Sequence, residues 1–283
     1  MTEPFEEHRG RLWAVAYRML GSRTEADDAV QETWLRYRRA DAGSVDNLGA
    51  WLTTVAARVC LNMVRSRESR REVQMPDPII GPAAGGDPEQ EAVLADAVGL
   101  ALQVVLGELA PAERLAFVLH DMFAVPFDDI APMIERTPAA ARQLASRARR
   151  RVHGAAPAPD PDLAQQRSVV DAFYAAARKG DFDALVAVLD PDVVLRADGG
   201  PSRPGRTVVL HGAGTVAGQA SRAAQLSAFV RPALVNGTAG GVVVARGRVL
   251  VVMGFTVVDG RIAAIDVLYD PDRLAHMDPA ILG

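Results

Sequence analysis

At 283 residues, with 49% apolar and 23% charged side chains, the chain can bury two or three separate cores, and wholesale disorder is excluded. A net charge of −4 argues against a general nucleic-acid coat, and a single cysteine, Cys60, excludes an internal disulfide and points to a reducing cytosol. The polar start MTEPFEEHRG carries no secretory signal, and Asp96, Gln103 and Glu108 interrupt the longest apolar stretch, so a cytoplasmic protein with no membrane partner is expected.

Residues 1–72 read as helical. Leu12, Val15, Ala16, Met19 and Leu20 recur at helical spacing before Gly21-Ser22 breaks the run. Thr24 is the expected N-cap of a second helix carrying Ala26, Ala29, Val30, Thr33, Trp34 and Tyr37, and a third helix follows Asn47. Residues 73–90, VQMPDPIIGPAAGGDPEQ, hold too many prolines and glycines for a helix and predict a linker. Residues 91–153 are helical again in shorter pieces. Their end, PFDDIAPMI-ERTP-AAARQLASRARRRV, places Thr137 as N-cap and Pro138 at the first helical position, a helix-turn-helix with an arginine-rich outer face. A second proline-rich linker, 154–162, precedes a block of different character. In residues 163–283 two helical stretches, 163–179 and 182–189, lead into valine-rich runs that read as strands. Asp259-Gly260 marks a hairpin between the last two, and helices before an antiparallel meander predict an α+β domain.

Charge is localised. Five arginines and no acid lie between Thr137 and His153, and five arginines against Glu68 alone lie between Arg58 and Arg71. Basic stripes on a mildly acidic chain fit contact with DNA at defined places.

The run AYRMLGSRTEADDAVQETWLRYRR, followed by NLGAWLTTVAARVCLNMVRSR, closely resembles region 2 of the extracytoplasmic-function (ECF) sigma factors of RNA polymerase. By spacing alone, Asp28, Gln31, Glu32 and Arg36 form an ordinary polar helix face. The resemblance implies that they dock on the β′ coiled coil of core polymerase, and that Asn62, Arg65 and Arg67 contact the minus-ten promoter element. It also implies that the loop 42–47 captures a flipped base. Trp51 reads as a core anchor. LAPAERLAFVLHDMFAVPFDDIAPMIERTPAAARQLASRARRRV resembles region 4, which implies that Ala140, Arg142, Gln143, Ser146, Arg147 and Arg150 meet the minus-thirty-five element. Arginine and glutamine bond guanine and adenine edges with two hydrogen bonds at once. The expected partners are therefore the RNA polymerase core, through its β′ and β subunits, and promoter DNA.

The C-terminal block resembles the SnoaL-like cone that one branch of ECF sigma factors carries in place of a separate anti-sigma protein. DGGPSRPGR (Asp198, Gly199, Gly200) approximates that branch's Asp-Gly-Gly-Gly-Arg element, with Pro201 breaking it. DPDRL (Asp270, Pro271, Asp272) matches Asn-Pro-Asp-Lys-Leu conservatively, and MPDP (Pro76, Pro78) matches the linker's Trp-Leu-Pro-Glu-Pro element in part. The fold expected is thus multidomain. An all-α region 2 bundle (1–72) and an all-α region 4 helix-turn-helix (91–153) precede an α+β cone (163–283) that modulates activity.

Two other readings compete. A ligand-sensing transcriptional regulator would use the helix-turn-helix but leave the region 2 pattern unexplained. An enzyme of the isomerase type could use Asp198, His211 or Asp266 as a base, yet nothing in their spacing makes them converge. Catalysis is not expected. A small-molecule ligand of the cone is a further possible partner. His8, His120, His153, His211 and His276 are scattered, so neither a metal nor another cofactor is expected.

Overall fold

The computed structural model describes residues 3–40, 47–70, 75–83, 99–155, 158–200, 207–277 and 280. The chain divides into two compact units: residues 1–77 with 103–156, and residues 78–102 with 157–283.

In the first unit, helices α1 (Glu3–Leu20), α2 (Arg23–Arg39) and α3 (Leu48–Arg70) bundle together. Their core is Phe5, Leu12, Val30, Leu52 and Ala56, rimmed by Trp13, Trp34, Tyr37 and Trp51. The periodic apolar residues of α1 are all buried. Trp51 packs 6.4 Å from the Tyr37 ring, as a core anchor should. The expected Thr24 cap is displaced. Gly21 takes φ +70° and turns the chain, so α2 starts at Arg23, with the Ser22 hydroxyl accepting from the Glu25 amide. Asn47 caps α3 through the Ala50 amide at 3.0 Å.

After α4 (Leu100–Glu108) come α5 (Pro111–Phe117), a π-helical turn (Val118–Met122), α6 (Phe127–Ile130) and a 3-10 turn (Ala131–Met133). The recognition-type helix α7 (Pro138–Ala155) is capped as expected, the Ala140 amide donating to the Thr137 hydroxyl at 3.2 Å. Ala141, Ala145, Ala148 and Val152 turn inward, and small residues at this spacing let α7 lie close on α5.

The C-terminus of α1 is where these two helical segments join. A helix leaves its last four carbonyls unpaired. Here Gln103 donates to the Tyr17 carbonyl at 2.7 Å and the Arg18 carbonyl at 3.3 Å. Arg114 donates to the Met19 carbonyl at 2.8 Å, and Arg67 to the Leu20 carbonyl at 2.6 Å. Two guanidinium groups thus sit at the negative end of the helix dipole, the favourable placement for cations. Asp77 extends the joint, its amide donating to the Gly21 carbonyl and its own carbonyl accepting from the Tyr17 hydroxyl.

In the second unit, one seven-stranded sheet runs β1-β4-β5-β6-β7-β2-β3. Its strands are β1 (Ile80–Pro82), β2 (Leu189–Asp198), β3 (Val208–His211), β4 (Val230–Val235), β5 (Thr238–Ala245), β6 (Arg248–Val258) and β7 (Arg261–Leu268). Strands β5, β6 and β7 pair antiparallel in chain order as the expected meander requires, and β4, which the sequence did not mark as a strand, adds to β5; β2, expected in the same meander, lies parallel to β7 instead. Asp259 and Gly260 both have positive φ, as the hairpin reading requires. Helices α8 (Leu163–Lys179), α9 (Phe182–Val188) and α10 (Ala213–Arg222) cover one face, and α11 (Pro271–Leu274) follows β7. Between helices and sheet, Phe173, Tyr174 and Phe255 meet edge to face at 5.5–5.7 Å. Burial pushes the Tyr174 hydroxyl pKa up, and the ring packs so close to Gly241 that a Cβ there would lie 2.4 Å from the hydroxyl oxygen.

The linker region enters this sheet. β1 pairs antiparallel with β4 over Ile80–Pro82, and Asn236 brackets its start. The Ile79 amide donates to Asn236 Oδ1 at 2.9 Å, and the Asn236 amide donates to the Ile79 carbonyl at 2.7 Å. Arg167 donates to the Ala83 carbonyl. The second linker is held likewise, Asp160 accepting the Asp259 and Gly260 amides of the β6–β7 turn at 3.0 Å each.

Cys60 lies fully buried on α3, and burial pushes its thiol pKa up to about 12. Because the thiolate is the reactive form, Cys60 should resist a thiol reagent at pH 8 until the region 2 bundle opens. Alkylation rates with and without denaturant check this, and a native rate near that of a free thiol would contradict the packing.

Candidate nucleic-acid interface

Along α2 and α3 runs an open groove of about 440 Å³. Asp28, Gln31, Glu32 and Arg36 line it from α2 and Asn62 from α3, over a floor including Leu35, Val59 and Met63. Buried Ala26, Ala29, Val30 and Thr33 face the bundle and so turn these four polar residues outward. Arg36 pairs with Glu32 at 2.8 Å, one turn apart. The structure thus brings all four expected polymerase-contact residues together and sets Asn62 beside them. Leu35, an exposed apolar residue in the same groove, was not singled out by the sequence.

On α3, Arg58, Asn62 and Arg65 are exposed at helical spacing and share one face. Arg67 does not join them. Besides capping α1 it pairs with Glu25 at 3.1 Å, so its guanidinium is committed inside the bundle. The loop 42–46 lies outside the described residues.

On α7, Arg142, Gln143, Ser146, Arg147 and Arg150 are exposed, while Ala140 is half-buried. The other arginines are fastened below. Asp121 of the π turn accepts from Arg149 Nε at 2.8 Å, and Glu113 of α5 pairs with Arg151 at 3.1 Å and Arg147 at 3.6 Å. Arg147 keeps 55% of its side chain exposed. The outward residues thus offer exposed cation and amide donors along one face, with Arg147 partly tethered to Glu113, suited to phosphates and base edges.

In the second unit, the Asp198-Gly199-Gly200 and Asp270-Pro271-Asp272 elements interlock. Asp198 accepts from the Gly200 amide at 2.9 Å, from Thr207 at 3.1 Å and from Arg273 at 3.3 Å. Asp270 caps α11 and lies so close to Gly200 that any Cβ there would be 2.1 Å from its carboxylate. The linker residues part company: Pro76 is buried against Gly21 in the first unit, whereas Pro78 belongs to the second. Asp266 pairs with Arg196 at 3.1 Å, and burial raises its carboxyl pKa against the lowering effect of that arginine. Strand register puts Asp198, His211 and Asp266 on the sheet face opposite Leu195, Phe255 and Ile265, so none of them lines the helix-covered interior. Among the described residues, no cluster of histidine, cysteine and carboxylate side chains could hold a metal, and no helix is long and apolar enough to cross a membrane.

A helical bundle with an acidic groove beside an arginine face, followed by a helix-turn-helix, defines a DNA-binding transcription factor of the sigma class. Residues 4–70 match the family model of sigma-70 region 2, and residues 99–152 that of sigma-70 region 4. The Mycobacterium tuberculosis ECF RNA polymerase sigma factor SigJ is 39% identical over 95% of this chain and 91% of its own length. The probable ECF sigma factor SigI of that species is 39% identical over 72% of this chain and 74% of its own. The crystal structure of M. tuberculosis SigJ matches with a TM-score of 0.77 and 34% identity, covering 97% of this chain and 98% of that one. The chain belongs to the ECF RNA polymerase sigma factors, built from two helical sigma regions and a C-terminal SnoaL-like α+β cone. It is a transcription factor rather than an enzyme, and its partners are core RNA polymerase and promoter DNA.

Proposed function

We propose that this sigma factor is held idle by its own structure, and that the C-terminal cone sets how readily regions 2 and 4 separate by holding the linker as a strand of its own sheet. The observation that carries this reading is the pairing of β1 with β4, bracketed by Asn236. The joint at the C-terminus of α1 supports it, because Gln103 and Arg114 from the region 4 side supply the caps of a region 2 helix. Regions 2 and 4 address promoter elements far apart, so this joint must open on polymerase. Only a few kcal/mol of differential contact are needed to keep such an equilibrium closed, roughly 5 kcal/mol for a full switch.

In the active form Asp28, Gln31, Glu32 and Arg36 dock on polymerase β′, with region 4 positioned near the β subunit. Asn62 and Arg65, joined by Arg58, meet the minus-ten element. Arg142, Gln143, Ser146 and Arg150, with Ala140 and the partly tethered Arg147, meet the minus-thirty-five element. Pro76, Pro78 and the interlocked Asp198–Gly200 and Asp270–Asp272 elements belong to the regulatory apparatus. The protein acts in the cytoplasm, where polymerase and promoters are. A small-molecule ligand of the cone would shift this balance only by binding one of the two forms better than the other.

In vitro transcription with core polymerase, comparing the full chain with one ending at residue 156, tests the reading on promoters selected from a genomic library. Promoter-specific transcripts are expected from both, stronger from the shorter chain. Equal output would remove the regulatory role of the cone.

A further inference from the structure

Recognition helix α7 is not the only source of order at the region 4 surface. The π-helical turn Val118–Met122 and the loop after it, where Ala124 takes φ +56°, fold the chain back so that Phe127 stacks on His120. The two rings are 3.8 Å apart and tilted by 28°. His120 is fixed in turn, its Nδ1 lying 3.0 Å from the Val125 carbonyl oxygen. The Arg142 guanidinium also lies over the Phe127 ring, 5.4 Å from its centroid. A π turn inside a helix costs regular hydrogen bonding and is found mostly where function requires it. Here it sends His120 towards Phe127 and neighbouring Asp121 to Arg149.

We propose that Phe127, backed by His120, is a positioning residue for promoter reading: it holds the Arg142 guanidinium on its ring face, edge outward, before DNA arrives. A free arginine side chain loses rotamer entropy on binding, and a planar fork already oriented loses less. A ring face attracts the cation while leaving its N–H edge free for a guanine O6 and N7. The inference rests on the reading of Arg142 as a base contact, and the test separates the two.

Holoenzyme reconstituted with the full chain is run on promoters carrying a constant minus-ten element and every single substitution of the minus-thirty-five element. In R142A, discrimination is expected to fall at one or two base pairs. F127L keeps apolar volume without a ring face and should lose roughly three- to tenfold of discrimination at those same positions. F127Y should restore it, and H120A should show a smaller loss there. Core-polymerase binding and melting temperature monitor folding, and the comparison of F127Y with H120A stands if F127L fails to fold. Wild-type selectivity in F127L, or a uniform loss across all positions, would overturn the positioning role. Unchanged selectivity in R142A would instead remove Arg142 as a reader, and the inference with it.

Discussion

Replacing Arg114 by alanine is expected to open the free protein. Arg114 is buried, and its guanidinium reaches the Met19 carbonyl of region 2 as well as the Gly107 and Leu109 carbonyls nearer home. A hydrogen bond from a charged donor contributes about 1.5–3 kcal/mol, and about 1.4 kcal/mol is a factor of ten, so the bond to Met19 alone holds the closed form by roughly ten- to a hundredfold. Because part of the loss in R114A falls on region 4 itself, Q103A is the companion variant; its amide nitrogen donates across the joint to Tyr17 and Arg18. Probes placed at exposed Arg39 and His153 report the distance between α2 and α7, and buried Cys60 does not compete for a cysteine-directed label. Both variants should populate longer distances and bind core polymerase more tightly, up to the factor by which the competent fraction rises. Unchanged distances and unchanged affinity in both would mean that the joint is packing without regulatory weight.

Such a joint is hard to see in a sequence, because its acceptors are backbone carbonyls at a helix end. Arg67 carries the side chain a DNA contact needs, and only the fold reveals that its fork is occupied by Leu20 and Glu25. Features set by local chemistry were legible. Asn47 and Thr137 cap where their side chains can reach the next free amide, and Asp259-Gly260 turns because both residues tolerate positive φ. The α2 cap was misplaced by two residues, since Ser22 and Thr24 are equally able to cap and the positive φ of Gly21 decides between them. Strands β1 and β4 escaped for a different reason. β1 is three residues ending in Pro82, too short for any alternation to show. Proline inside β4 argues against a strand, yet Pro232 is tolerated because β1 covers only Ala233–Val235 and leaves β4 an edge there. The candidate bases Asp198 and Asp266 could be named from sequence, but their face could not. Period-two alternation placed them opposite the core only once Leu195 and Ile265 were known to point inward.

The largest functional effect is expected at Asn236, through a change that leaves the hairpin intact. Asn236 and Gly237 form the β4–β5 turn with both φ values positive, at 51° and 77°. Alanine there would strain the turn, whereas N236G preserves a turn that glycine adopts freely and removes the carboxamide that carries the Oδ1 acceptor. The buried Ile79 amide is then left without that partner, a penalty of about 1–3 kcal/mol levied on the docked linker. Docking of β1 should weaken roughly five- to a hundredfold, since about 1.4 kcal/mol is tenfold. Amide hydrogen exchange at Ile79–Gly81 should accelerate by that factor while amides within β5 and β6 keep their protection. Transcription by the reconstituted holoenzyme should rise in parallel, towards the level of the chain ending at residue 156. Faster exchange without any change in transcription would separate linker docking from regulation, and the cone would then have to act on the sigma regions by some route other than the strand it holds.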